Sequence, residues 1–226
     1  MAFFISLHFI IASCSDRPST AEKTSSTAGP PSNNKETSTE VQKRILFFGN
    51  SLTAAYGLDP SEGFPALIQQ KIDSLGLPYV AVNAGLSGET SAGGKERITW
   101  LLEEPVSIFV LELGANDGLR GLPLTATRQN LQAIIDQVKK AYPKAQLVIA
   151  GMQLPPNMGE EYTSDFRELY KTLTEENNAI LIPFLLEGVG GIPTLNQADG
   201  IHPTAAGQQI IANNVWTVLR PLLLQE

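Results

Sequence analysis

Cysteine and histidine are nearly absent from this chain. Its 226 residues hold one cysteine, Cys14, and two histidines, His8 and His202. A single cysteine cannot form a disulfide within the chain. A structural zinc centre takes four Cys or His ligands, so that class is excluded, and a His-rich catalytic zinc site with it. Positive charge is scarce too: 16 Lys and Arg stand against 23 Asp and Glu, a formal net charge of -7. Sequence-independent binding of nucleic acid needs a basic surface, so nucleic acid is not an expected partner. Nucleotide signatures are missing. Gly94-Lys95 is followed by Glu96, and Glu89 stands where the phosphate loop needs its first glycine, so that pattern fails twice. No G-x-G-x-x-G follows the first strand, which argues against a dinucleotide cofactor. Nor is there a G-x-S-x-G nucleophile elbow.

What the chain does have begins with an apolar leader, Ala2 to Ala12. It is too short for a bilayer span, which needs roughly 20 apolar residues, and fits the apolar region of a secretory signal. It closes Ile11-Ala12-Ser13-Cys14, which resembles the lipobox of bacterial lipoproteins and makes Cys14 the expected site of lipidation. No Lys or Arg precedes the apolar run, as a signal ordinarily has. From Ser15 to Gln42 the chain is rich in Ser, Thr, Pro, Asn, Lys and Glu. Such a stretch buries too little surface to offset its ordering entropy. It reads as a disordered tether with a reach of roughly 30 Å. The expected organisation is a signal over 1–13, lipidated Cys14 and tether to residue 43, and one domain over 44–226. A lipid-anchored monomer in the bacterial cell envelope follows from that reading.

From Arg44 onward, strand and helix patterns alternate. Ile45 to Phe48 is apolar at every position, as in a strand buried on both faces. Further strands are expected over Tyr79–Ala84, Val106–Leu113, Leu147–Ala150 and Ile180–Ile182. Helical stripes fall over Gly63–Leu75, over Lys95–Glu103, from about Thr125 through Val138, around Phe166 to Leu173, and over Thr204–Leu224. Alternation of this kind implies right-handed crossovers and a five-stranded parallel sheet covered on both faces, an α/β fold.

The residues that carry chemistry cluster where strands end. Gly49-Asn50 breaks the first strand, and Ser51 follows at once. Ligands of open parallel sheets bind outside the carboxyl ends of strands. Gly88, after the second strand, has no side chain to hinder approach to its N–H. Leu113-Gly114-Ala115-Asn116-Asp117 follows the third strand, and an Asn amide offers two donors suited to an oxyanion. Asp199-Gly200-Ile201-His202-Pro203 precedes the last helix. That short spacing lets the carboxylate turn back onto the imidazole, fixing its tautomer. His202 is the only histidine beyond the leader, so a serine nucleophile with a histidine base must use it.

Taken together, Gly49-Asn50-Ser51-Leu52, Gly88, Gly114-Ala115-Asn116-Asp117 and Asp199-x-x-His202 resemble the four ordered blocks of the SGNH (GDSL) hydrolase superfamily. The likeness is to its bacterial periplasmic arylesterase and thioesterase/lysophospholipase branch. It extends to Gly118-Leu119-Arg120-Gly121 and Leu154-Pro155-Pro156-Asn157. The resemblance implies a flavodoxin-like, three-layer α/β/α fold. It implies catalytic Ser51, Asp199 and His202, an oxyanion hole of the Ser51 and Gly88 N–H groups with the Asn116 side chain, and no cofactor or metal. The implied activity is hydrolysis of small or single-chain acyl esters, aryl esters, lysophospholipids or acyl thioesters, through an acyl-enzyme. The alternatives are a deacetylase or acyltransferase on envelope carbohydrate, and an envelope-binding lipoprotein without chemistry. Asn50 departs from the family pattern, which usually has Asp there.

Overall fold

The computed structural model describes residues 42–225; the leader, Cys14 and all but the end of the expected tether lie outside the described residues. Five strands form one parallel sheet: β1 Lys43–Gly49, β2 Tyr79–Gly85, β3 Ile108–Glu112, β4 Gln146–Ala150 and β5 Ile180–Ile182. Their order is β2-β1-β3-β4-β5, so β1 lies inside the sheet with a neighbour on each side. Between and after them run helices α1 Phe64–Ser74, α2 Ser91–Leu101, α3 Ala115–Leu119, α4 Leu124–Ala141, α5 Glu160–Asn177 and α6 Ala205–Leu223.

Two neighbouring phenylalanines show how the layers arise. Side chains of a strand alternate between faces. Phe47 meets Phe64 of α1 edge to face, centroids 5.6 Å apart. Phe48 points the other way, under the Arg97 guanidinium of α2, 4.5 Å from its ring centroid. Both rings are almost wholly buried, and each contributes about 1.5–3 kcal/mol by leaving water. Helix α1 is joined to α6 by a bond from the Phe64 N–H to Gln208 Oε1, 2.9 Å long. On the opposite face α2 packs on α4, and α4 on α5. The result is the three-layer α/β/α arrangement that the strand and helix pattern and the family resemblance imply.

Two expected boundaries need correction, and one helix is unexpected. Apolar spacing places the third strand over Val106–Leu113, but its ladder covers only Ile108–Glu112. The Leu113 carbonyl is taken by the Tyr170 hydroxyl at 3.0 Å, and Gly114 then turns the chain at φ +107°. The second helix begins at Ser91 rather than Lys95, because Thr90 caps it by accepting from the Gly93 N–H. Helix α3 follows Gly114, where the apolar spacing marks no helix. Gly118 lets it pack closely: a Cβ there would lie 2.7 Å from both Leu154 and Phe166.

Candidate active site

The turn after β1 is built by close packing. Gly49 admits no side chain: a Cβ would collide with Thr53 Oγ1 and lie 2.5 Å from Glu112 Oε2. Asn50 then folds its amide back, and Oδ1 accepts from the Leu52 N–H at 2.9 Å, an Asx turn. The Ala54 N–H bonds the Asn50 carbonyl and the Tyr56 N–H the Ser51 carbonyl, each at 3.0 Å. Ser51 therefore stands in a tight turn, nearly buried, just beyond the carboxyl end of β1. Beneath the turn lies Glu112, 1 % exposed. Its carboxylate accepts from Asn50 Nδ2 at 2.8 Å, from the Asn50 N–H at 3.0 Å and from Thr53 Oγ1 at 2.8 Å. Burial pushes this carboxyl up to about 7, against the lowering effect of those bonds.

The last loop brings the other half. His202 Nε2 lies 2.9 Å from Ser51 Oγ, and His202 Nδ1 lies 2.7 Å from Asp199 Oδ2. The second carboxylate oxygen, Oδ1, accepts from the backbone N–H groups of Ile201 and His202, each at 3.0 Å. The His202 N–H first, then the His202 ring and the Ile201 N–H, hold the Asp199 carboxyl down to about 2. It is therefore charged throughout the neutral range. Gly200 takes φ +76°, a left-handed conformation that closes the short loop. Gln197 joins this loop to the serine turn, its Nε2 donating to the carbonyls of Tyr56 and Pro203 at 2.7 and 3.0 Å. The Asp–His–Ser chain can draw a proton from the hydroxyl toward Nε2 while the carboxylate holds Nδ1–H.

Gly88 and Asn116 line the same cleft as Ser51. The N–H groups of Ser51 and Gly88 donate to no group among the described residues. Asn116, at the start of α3, is oriented by one amide hydrogen bonded to the Glu89 carbonyl at 2.9 Å; the second amide hydrogen is left for a ligand. Three donors bordering one hydroxyl suit a developing oxyanion. Cys14 lies outside the described residues. Among the described residues, no cluster of three or more His, Cys, Asp or Glu side chains is placed to hold a metal.

The cleft has a volume of about 780 Å³. Leu119, Leu154, Pro155, Phe184, Leu186 and Ile201 are among the apolar residues that line it. Two site residues escape a reading of motifs. Tyr56 lies with its ring against that of His202, and nothing in the sequence marks it. Glu112 does leave a signal: it is the one charge in an otherwise apolar strand, and a buried polar group is the informative exception.

Residues 47–210 match the model of the GDSL-like Lipase/Acylhydrolase family. The chain is 44% identical over 180 residues to Esterase TesA of Pseudomonas aeruginosa, covering 79% of this chain and 89% of that one. It is 38% identical over 180 residues to Thioesterase 1/protease 1/lysophospholipase L1 of Escherichia coli, covering 79% and 84%. Among solved structures it resembles the psychrotrophic esterase EstA from Pseudoalteromonas sp., inhibited by monoethylphosphonate. There the TM-score is 0.76 at 35% identity, over 80% of this chain and 99% of that one. By the extent of these matches, the chain belongs to the GDSL-like lipase/acylhydrolase family, in the branch of these bacterial esterases and thioesterases.

Proposed function

We propose that the protein is a serine esterase that cleaves single-chain acyl esters, aryl esters or acyl thioesters through an acyl-enzyme. The observation that carries this reading is the unbroken chain Ser51 Oγ, His202 Nε2, His202 Nδ1, Asp199 Oδ2 at 2.9 and 2.7 Å. Neutral His202 takes the proton from Ser51 as its oxygen attacks the carbonyl carbon. The resulting oxyanion is held by the N–H groups of Ser51 and Gly88 and by Asn116 Nδ2. The imidazolium then protonates the departing alcohol or thiol, and Asp199 stabilises its charge. Water, activated by the same imidazole, releases the acid and restores Ser51.

The apolar lining of the cleft favours an acyl chain over a carbohydrate ring as the buried group. The relatives are named an esterase and a thioesterase 1/protease 1/lysophospholipase L1, and the ester and thioester activities in those names support the reading. Delivery to the cell envelope through lipidated Cys14 belongs to the same reading. A series of nitrophenyl esters of increasing chain length, assayed beside acetylated carbohydrate, tests it. Turnover that rises with chain length supports an acyl esterase. Turnover confined to the acetylated sugar overturns it.

A further inference from the structure

Glu112 takes no part in the proton transfers above, yet it holds the backbone on which Ser51 stands. Its two oxygens receive donors from the turn alone, and the Thr53 N–H bears on the same carboxyl. Oε1 takes Asn50 Nδ2; Oε2 takes both the Asn50 N–H and the Thr53 hydroxyl. The Asn50 amide is thereby fixed in orientation. With Nδ2 on the carboxylate, Oδ1 faces the Leu52 N–H at 2.9 Å, and Ser51 Oγ lies 3.4 Å from the same oxygen. An amide has a donor end and an acceptor end, so a group that reads one end sets the other.

This arrangement works only with an ionised carboxylate. A proton on Oε1 would face Asn50 Nδ2. Relief would need the amide to turn over, and then Nδ2 would meet the Leu52 N–H, donor against donor. A proton on Oε2 would displace the Thr53 hydroxyl hydrogen, which in the structure donates to that oxygen. In either case the serine turn loses a bond in a site where all the partners are buried, and an unmade buried bond is costly. A glutamine in place of Glu112 carries the same fault, since its NH2 must face either Asn50 Nδ2 or the Asn50 N–H.

We propose that Glu112 is a positioning residue for Ser51: as a carboxylate it sets the orientation of the Asn50 amide, and turnover requires it to be ionised. This rests on Ser51 as nucleophile. Burial, which pushes Glu112 up to about 7, brings its titration into the working range. Of the titratable groups, Tyr170 of α5 faces it, and its phenol is raised by burial, then by Glu112 and then by Asp117 of α3. Arg97 of α2 spends its guanidinium on Glu89 and the Ala84 carbonyl.

The test has two arms. In the first, the acidic limb of log kcat/KM against pH is measured on the wild type. With neutral His202 and ionised Glu112 both required, its slope approaches two; with His202 alone it is one. In the second, Glu112→Gln is compared with Asn50→Asp/Glu112→Gln. The single variant should lose about 10²-fold in kcat, the cost of a misplaced reacting group, with KM nearly unchanged. In the double variant the NH2 introduced on β3 donates to the carboxylate introduced in the turn. The new amide oxygen accepts from the turn N–H that Glu112 holds in the wild type and from Thr53. Every partner is satisfied again, so activity should return to within about tenfold of wild type. A wild-type slope of one, or a folded double variant no more active than the single, overturns the proposal. If Glu112→Gln does not fold, the wild-type slope decides alone. Phosphonate labelling separates the two readings. Failure to label Ser51 strikes the nucleophile assignment, whereas intact labelling with a slope of one strikes only Glu112.

Discussion

The ring of Tyr56 lies against the imidazole of His202, centroids 4.5 Å apart and planes inclined by 39°. The phenol belongs to the serine turn and the imidazole to the last loop, so the contact spans the two halves of the site. An aromatic face attracts the imidazolium that the proposed acyl transfer forms at His202. At a half-exposed position such as Tyr56, that attraction is worth about 0.5–1 kcal/mol. Tyr56→Leu should therefore lower kcat/KM by about two- to fivefold, and Tyr56→Phe should retain it. Equal loss in both variants would assign the effect to the hydroxyl instead of the ring.

Ser51→Ala should abolish ester hydrolysis and leave the melting temperature close to wild type. The hydroxyl is held by His202 and its removal opens no large cavity. Turnover and a thermal melt on the same preparation check both halves of the statement.

Asp199→Asn should be more damaging than its near-identical shape suggests. Asn can keep the bonds from the Ile201 and His202 N–H groups through Oδ1, but then its NH2 faces His202 Nδ1. That forces the tautomer whose Nε2 carries hydrogen and cannot take the Ser51 proton. In a serine protease triad the same change costs about 10⁴ in turnover, and a loss of that order is expected in kcat here. Asp199→Ala leaves either tautomer accessible and should lose no more than Asp199→Asn. Because Asp199 is held down to about 2, its stabilising effect is present above its ordinary range near 3.8 and disappears only as pH falls through about 2. It adds nothing to the acidic limb of the activity profile in the neutral range.

Asn116→Ala removes one of three proposed oxyanion donors. The loss should fall in kcat by about 10²–10³ with little change in KM, since the donor acts on charge that develops in the transition state. Steady-state kinetics on one nitrophenyl ester suffices.

Glu112 should also leave a mark on stability. Its native carboxyl titrates at about 7 against an ordinary value of 4.5. Between those values the unfolded chain releases the proton and the native protein keeps it, so stability falls as pH rises through that window and levels off above it. The loss is on the order of 3 kcal/mol. The difference in urea unfolding free energy between wild type and Glu112→Gln, measured at about pH 5 and about pH 8, should move by that order in favour of the variant.

Detergent partitioning tests the proposed lipid anchor at Cys14. Wild-type protein expressed with its leader should enter the detergent phase, and Cys14→Ser should remain in the aqueous phase.

Much of the framework could be read from apolar spacing. Ile45 to Phe48 announces β1 because every position is buried, and Ile180–Ile182 coincides with β5. The Asp199 and His202 pairing follows from their short separation. Other features depend on contacts distant in the chain. Helix α2 starts among Ser91, Gly93 and Gly94, poor helix formers. Gly94 is needed there because a larger residue would strike Leu113, with Phe48 and Ile134 close behind. Helix α3 contains a glycine and spans five residues, too few to be stable without the packing on Leu154 and Phe166. Glu112 is visible as an anomaly in β3, but the identity of its donors is not, because they lie about sixty positions earlier.

The 151 positions between Ser51 and His202 have a consequence for the timing of synthesis. A ribosome delivers the serine turn early and the imidazole only after every strand has been made. Until α6 docks against α1 through Gln208 and Phe64, the nascent chain carries the Ser51 hydroxyl without its proposed base. A chain truncated before residue 199 should therefore be inert toward esters even where its sheet has begun to form, so the hydrolase stays silent until its last loop is in place.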